Sequence, residues 1–456
     1  MADYDIDALI ELAASTVERA TARGADVAEC IAGESAHLSA KVRLGEPELV
    51  EEAGNKSLGL RVMRGQHVAL TYTSDLTPSG IDRCVEDALE LAQLSEADPF
   101  AGPPEPSLLS TAADHVDLDL FDEGIEAIDA KRAIELATEA ERVALAVDPR
   151  LKNSEGASVS RQAGASALVT SGGFRAGTAG TYASLSVSPV AEDTDGKRRT
   201  GSHWSAKRHF AELATAEEVG EEAARRTLAK LGARKLATQE VPVVFDPDSG
   251  RSILGLLGGC ITGGAVWRKS SYLADREGTA IASELVSVVD DPLIPRGPGS
   301  RPFDGEGLVS RRNVLVDVGV LKMFLLDSYS GRKLDRASTG NASRGSSGGV
   351  GASTTNLILQ PGAMTAEQLL ADTDRALYVT GMMGFGFNAV TGDFSRGASG
   401  FWVEKGERVH PVDEVTISLN LDEMLKGIDA VADDLDLRTS VATPTFRVRS
   451  MTLAGS

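Results

Sequence analysis

Aromatic residues are scarce, 5% of a 456-residue chain that carries 47 glycines. With so few rings the core must be filled by Ala, Val and Leu, and so many glycines point to sheets with tight turns. Cysteine is almost missing as well. Cys30, Cys84 and Cys260 are far apart and odd in number, which argues against a disulfide scaffold and a cysteine-rich zinc cluster and fits a reducing cytoplasm. No apolar run reaches the length of about eighteen residues that a membrane-spanning helix needs. The start, MADYDIDALIELAAS, lacks a basic segment followed by an apolar core, so no secretory signal is expected. Basic charge is short too: the net charge is −21, and residues 1–100 hold 19 acidic against 8 basic side chains. Such a surface repels a phosphate backbone, and no basic stripe offsets it, which argues against direct nucleic-acid binding.

What remains is a globular composition, 42% hydrophobic and 25% charged, long enough for two or three domains. Residues 1–97 read as a small α+β domain. Ile6, Leu9, Ile10, Ala13 and Val17 fall at helical spacing, strand-like pieces follow at VAECIAG, AHLSAKVR, SLGLRVM and HVALTYTSD, and SGIDRCVEDALELAQLS closes it as a second helix. Residues 98–123 form a connector with clustered prolines, six acids after Asp98 and no Lys or Arg. Residues 124–234 repeat the plan, with a long helix near Ile125–Val147, strands up to YASLSVSPVAE, and a helix from about Ala211 to Leu231. Residues 235–456 are β-rich. VPVVFDP is a buried-type strand, SILGLLGGCITGG a glycine-interrupted helix, RRNVLVDVGVLKMFLLD and DEVTISLNL alternate as half-buried strands do, and TPTFRVRSMTLAGS closes the chain as a strand. The fold class is therefore α+β: α/β N-terminal regions followed by a large β-rich C-terminal domain.

The usual chemical motifs fail one after another. GGCITGGAVWRKSS has no glycine directly before Lys269 and so is no phosphate loop, and GMMGFGFNAVTG lacks the third glycine of a dinucleotide fold. GSSGG centres a GxSxG on Ser347, but its surroundings read as a polar loop where a nucleophile elbow needs a strand and a helix. None of His37, His67, His115, His203, His209 and His410 sits in HExxH or HExxxH, and DPDSGRSILGLL lacks the acids of a calcium loop. One dense donor group stands out: Arg268, Lys269, Ser270 and Ser271, directly after the glycine-rich helix. It suits an anchor for a peptide carboxylate or a partner's acidic loop, and equally an internal salt bridge pinning the helix end.

Five segments, VRLGEPELVEEAGNKSLGLRV, GGAVWRKSSYL, PFDGEGLVSRRNVLVDVGVL, SYSGRKLDRASTGNA and GDFSRGASGFWVEKGE, resemble in order the PmbA/TldE branch of the TldD/PmbA family, over nearly the whole chain. The resemblance implies a protein that pairs with a TldD-type zinc subunit, the two together cleaving unfolded or flexible peptides, and the cysteine usage places it in the cytoplasm. It implies that the TldD-type HExxxH falls here on Gly255, Leu256 and Cys260, so that catalytic residues and metal ligands are absent from this chain and zinc belongs to the partner. Arg268, Lys269, Ser270 and Ser271, with Ser395 and Arg396, then become candidates for the substrate chamber or the subunit interface. A homodimer is compatible with a family that works in pairs. The family's older label, modulator of DNA gyrase, gains nothing from the acidic charge. Two other readings stay open: a free-standing hydrolase using Ser347 or Cys260, and a homo-oligomeric scaffold.

Overall fold

A computed structural model describes residues 4–194 and 196–455. α1 (Ile6–Ala22) is capped by Asp5, whose carboxylate accepts from the Ala8 N–H at 2.9 Å. Its stripe of Leu9, Ala13, Val17 and Ala20 is buried against the sheet that follows. β1 (Val27–Arg43), β2 (Glu46–Arg64) and β3 (His67–Thr73) make an antiparallel meander, and α2 (Pro78–Leu94) packs on it beside α1. Beyond the connector come α3 (Glu123–Glu126), α4 (Ala130–Ala146), β4 (Leu151–Thr170), β5 (Arg175–Glu192), β6 (Arg198–Thr200), β7 (His203–Lys207) and α5 (Ala216–Leu228). Because β4 pairs with β1, the first and middle segments share one seven-stranded antiparallel sheet, ordered β3-β2-β1-β4-β5-β6 with β7 also on β5.

Three local expectations change. VAECIAG and AHLSAKVR are a single strand, because Glu34 and Ser35 between them are paired on both sides, to Lys56 and Asn55 of β2 and to Ala165 and Gly164 of β4. The long helix near Ile125–Val147 is broken: Asp129 accepts from the Arg132 N–H at 2.7 Å and starts α4 afresh. The helix expected from Ala211 begins only at Ala216, after Thr215, which forms a capping box with Glu218. The connector is not a free tether. Arg332 donates to the carbonyls of Phe100, Gly102 and Pro103, and the Ser110 N–H reaches the Gly307 carbonyl at 2.8 Å.

In the C-terminal part, β8 (Gln239–Phe245) leads into α6 (Pro247–Cys260) and α7 (Gly263–Trp267). Next come β9 (Val288–Asp290), β10 (Asn313–Asp317), β11 (Val320–Leu321), α8 (Ser328–Lys333), β12 (Ala342–Arg344), β13 (Val350–Ala352), β14 (Leu357–Leu359) and α9 (Ala366–Ala371). The chain ends with β15 (Arg375–Met383), β16 (Asp393–Glu404), β17 (Glu407–Asn420), α10 (Leu421–Lys426), β18 (Ile428–Val431), β19 (Val441–Ala442) and β20 (Phe446–Ala454). One sheet runs β17-β16-β15-β8-β20-β18, and a further β17–β20 pairing closes five of its strands into a barrel-like ring. A second sheet runs β11-β10-β9-β14-β19, and α6 packs against β14, β15 and β19. The core between them is aliphatic, with Val243, Ile253, Leu257, Leu357 and Leu377 fully or almost fully buried around a stacked Phe245–Phe446 pair.

A buried ion group bolts the two parts together. Glu29 of β1 accepts from Arg61 of β2 at 3.0 Å and from Arg344 of β12 at 2.6 Å, all on one carboxylate oxygen. Burial alone would raise its pKa; the guanidiniums of Arg344 and Arg61 outweigh that and hold the carboxyl below its usual value. Beside it the turn Gly345–Gly349 closes on Gly59, where a Cβ would lie 2.3 Å from the Ser346 carbonyl oxygen. Glu29→Ala leaves two guanidiniums with no buried counter-charge, so urea unfolding at pH 7 should show a loss of about 3–5 kcal/mol. The wild-type contribution is present above the unfolded carboxylate pKa of 4.5 and disappears as pH falls through the lower folded value.

Candidate functional site

The site begins where the chain leaves the barrel. β8 runs parallel to β15, Val243 opposite Leu377 and Phe245 opposite Val379. At Asp246 it turns away: the Asp246 N–H bonds the Val379 carbonyl at 3.2 Å, and its carboxylate caps α6 through the Ser249 N–H at 2.7 Å. Burial pushes the Asp246 carboxyl up to about 6. Past this point Thr380 to Met383 keep only β16 as a strand neighbour among the described residues, so one edge of β15 is unpaired.

α6 presents two different faces. Ile253, Leu254, Leu257 and Cys260 enter the core, and Gly258 sits so close to it that a Cβ would lie 2.7 Å from a Leu357 methyl. On the other side a Cβ at Gly255 or Gly259 would meet nothing within 4 Å, while Leu256 is half-buried at the core's margin. Cys260 is 1% exposed, and burial pushes its thiol up to about 11, against a hydrogen bond with Ser271.

The Arg268–Ser271 group divides. Arg268 and Lys269 are exposed, with no carboxylate in ion-pair distance among the described residues, and the Arg268 guanidinium stacks 4.7 Å from the Trp267 ring centroid. Ser270 donates to the Ala265 carbonyl at 3.2 Å, and buried Ser271 accepts from the Leu273 N–H at 3.0 Å, so both serines build the turn itself. Trp267 meets Tyr329 edge-on, and the Lys333 ammonium lies 5.1 Å from Trp267 and 3.9 Å from Phe100. Ser395 is exposed on β16, its N–H on the Gly386 carbonyl. Ser347 lies in the hairpin turn between β12 and β13, a strand–turn–strand setting rather than a strand–turn–helix elbow.

Arg396 does reach a cavity, one of about 630 Å³ between α5 and β7 on one side and α6, β15, β16 and β17 on the other. Arg268 and Lys269 are not part of its lining. Asp248, in the first turn of α6, holds it together by receiving Arg226 at 3.1 Å, Arg438 at 3.3 Å and Arg251 at 3.7 Å. Burial would raise the Asp248 carboxyl, but Arg438, Arg226 and Arg251 keep it below the usual range. Close by, His203 is pushed down to about 4 by burial and by Arg226 and Arg438, and stays neutral at physiological pH. Sequence reading missed this cavity. Its charged residues are scattered from position 225 to position 438, with no local motif to join them.

Three family models match along the chain: PmbA/TldA metallopeptidase domain 1 over residues 28–92, the central domain over 123–231 and the C-terminal domain over 238–455. Metalloprotease PmbA of Escherichia coli O157:H7 is 37% identical over 447 residues, covering 98% of this chain and 96% of that protein. The chain belongs to the PmbA/TldD metallopeptidase family. A Haemophilus influenzae protein named metalloprotease PmbA homolog is 38% identical over 443 residues, covering 96% of this chain and 94% of that one. The fold is that of the crystal structure of TldE from Thermococcus kodakarensis, at TM-score 0.87 and 22% identity over 97% of this chain and 100% of that one. No helix of the described residues is long and apolar enough to cross a membrane.

A metallopeptidase family implies a metal, and the residues at the expected positions do not fit one. Gly255 has no donor, Leu256 packs at the core margin, and the Cys260 thiol is turned inward and held protonated. Among the described residues no group of three or more His, Cys, Asp or Glu side chains is arranged to hold a metal ion. Cys30 and Cys84 are buried too, and burial raises both thiols. The native chain should therefore give almost no fast reaction with DTNB at pH 8, and all three thiols after guanidinium unfolding. A rapidly reacting native thiol that disappears in Cys260→Ala would show that α6 is not packed this way.

Proposed function

We propose that this chain is the PmbA/TldE-type subunit of a peptidase assembly: it holds no catalytic zinc, and with a zinc-bearing TldD-type subunit it forms the chamber in which unfolded or flexible peptides are cut. The observation that carries the reading is α6. Where the family's zinc subunit has HExxxH, this helix has Gly255, Leu256 and a core-facing Cys260. Zinc hydrolysis needs about three protein ligands and a carboxylate base. Neither is offered here, and Ser347 has no elbow to activate it.

The positive role follows from the unpaired edge of β15. Thr380 to Met383 offer main-chain groups to an extended peptide, a mode that gives affinity with little sequence preference. Arg268 and Lys269, exposed and without ion-pair partners among the described residues, supply donors to the peptide or to the partner's surface. The free, buried thiols suit work in the cytoplasm.

Co-expression with the TldD-type protein of the same organism tests this directly. The two chains should copurify, with zinc and peptide hydrolysis in the pair and neither in this chain alone. Stoichiometric zinc with activity in the isolated chain would overturn the reading, and sizing of that chain reports whether it also pairs with itself. Replacing Arg268 and Lys269 together by alanine should lower hydrolysis by the pair about tenfold or more, the worth of at least one charge-assisted hydrogen bond, at an unchanged melting temperature. Unchanged activity would remove them from the chamber and the interface.

A further inference from the structure

The cavity beside α6 carries positive charge that the protein does not neutralise. Seven of its lining residues are Lys or Arg and four are Asp, in a chain whose net charge is −21. The four carboxylates are already engaged. Asp248 holds three guanidiniums, Asp436 pairs with Arg438, Asp434 accepts from the N–H and hydroxyl of Thr445 at 2.8 and 2.7 Å, and Asp246 caps α6. From outside the lining Glu222 takes Arg225 and Arg226, and Lys230 donates to the Thr200 carbonyl at 2.8 Å, so Arg396 and Arg408 are the two guanidiniums left over. Neither has a carboxylate within 4 Å among the described residues. The Arg408 guanidinium sits over Tyr378, its central carbon 3.9 Å from the ring centroid, and that of Arg396 lies 5.6 Å from the Phe394 centroid. The Arg396 Nε is buried with no hydrogen-bond partner. A buried guanidinium N–H without an acceptor is costly, and a fixed guanidinium fork fits the two oxygens of a carboxylate better than any neutral acceptor.

The same cavity takes in the unpaired edge. Thr380, Gly381 and Met382 line it, and Arg396 stands on β16 one residue beyond Gly397, the partner of Met383. Trp204, Phe401 and Met382 add apolar wall, so the space suits a peptide end with a side chain rather than a bare inorganic anion. We propose that this cavity is a carboxylate-binding pocket for the peptide held on the β15 edge, with Arg396 and Arg408 as the residues that take the carboxylate. The substrates it selects are peptides carrying a free C-terminus or an acidic side chain at that point. This rests on the reading that the chain lines a peptide chamber.

The test uses the full chain, alone and paired with its TldD-type subunit, and an unstructured peptide labelled with fluorescein at its N-terminus. Three forms are compared by anisotropy: free C-terminus with its Asp and Glu residues, the C-terminal amide, and the form with Asn and Gln in place of Asp and Glu. One of the two modifications should weaken binding about tenfold, the worth of a charge-assisted contact, and which one does so identifies the carboxylate as terminal or side-chain. R396Q should abolish that preference while the neutral form binds as before, and R408Q should reduce it. Equal binding of all three forms to the wild type would overturn the pocket and leave the chamber standing, and this comparison holds even if R396Q fails to fold. A folded R396Q that keeps the full preference would overturn it too. Absence of binding by every form, to the chain and to the pair, would overturn the chamber and the pocket together.

Discussion

Asp248 is the point on which the functional half of the molecule depends. Its carboxylate sits in the first turn of α6 and gathers Arg226 from α5, Arg438 from the segment before β19, and Arg251 from its own helix. Arg438 also donates to the Trp204 carbonyl at 3.0 Å, and the Tyr182 hydroxyl donates to the Arg438 carbonyl at 2.8 Å. The Asp248 carboxylate is half-buried, and losing it would leave three neighbouring guanidiniums to repel one another. The group therefore fixes α6 against the N-terminal helix–sheet layer, and the cavity beside it is a product of that constraint.

Given a fixed α6, its glycines divide the labour. Gly258 lets the helix approach Leu357 more closely than any side chain would allow, whereas Gly255 and Gly259 leave open space on the other face. The departure of β8 at Asp246 has a second effect, stripping β15 of a neighbour from Thr380 onward. A strand edge is normally a liability that proteins cover, and here its part over residues 380–382 lines a cavity between two layers. The Glu29–Arg61–Arg344 group performs for the N-terminal sheet what Asp248 performs for α6. Both use arginine to tie together segments distant in sequence.

Much of this was legible from local pattern. The helical stripe of α1, the strand VPVVFDP, the glycine-interrupted helix after it and the alternating strands of the C-terminal part all follow from periodicity and turn chemistry, which act over a few residues. The misreadings share one cause. VAECIAG and AHLSAKVR look separate because Glu34 and Ser35 interrupt the apolar pattern, yet pairing on both sides carries the strand through. Asp129 looks like one more charge in a helix until its side chain caps a new one. The Arg268–Ser271 run looks like a single donor cluster, but Ser270 and Ser271 spend their hydroxyls on the turn.

By itself, the sequence determined the acidic surface, the mixed helix-and-strand plan, the family, and a helix α6 without His or Glu. All of these depend on which residues are present and in what local order. Tertiary structure alone decided which charges remain unanswered. The family resemblance marked Arg396 and passed over Arg408; folding brings both beside an unpaired strand edge while Asp248, Asp434 and Asp436 are claimed by other partners. A charge becomes a binding group by what it lacks nearby, and nearness across two hundred residues is not written in any short stretch of chain.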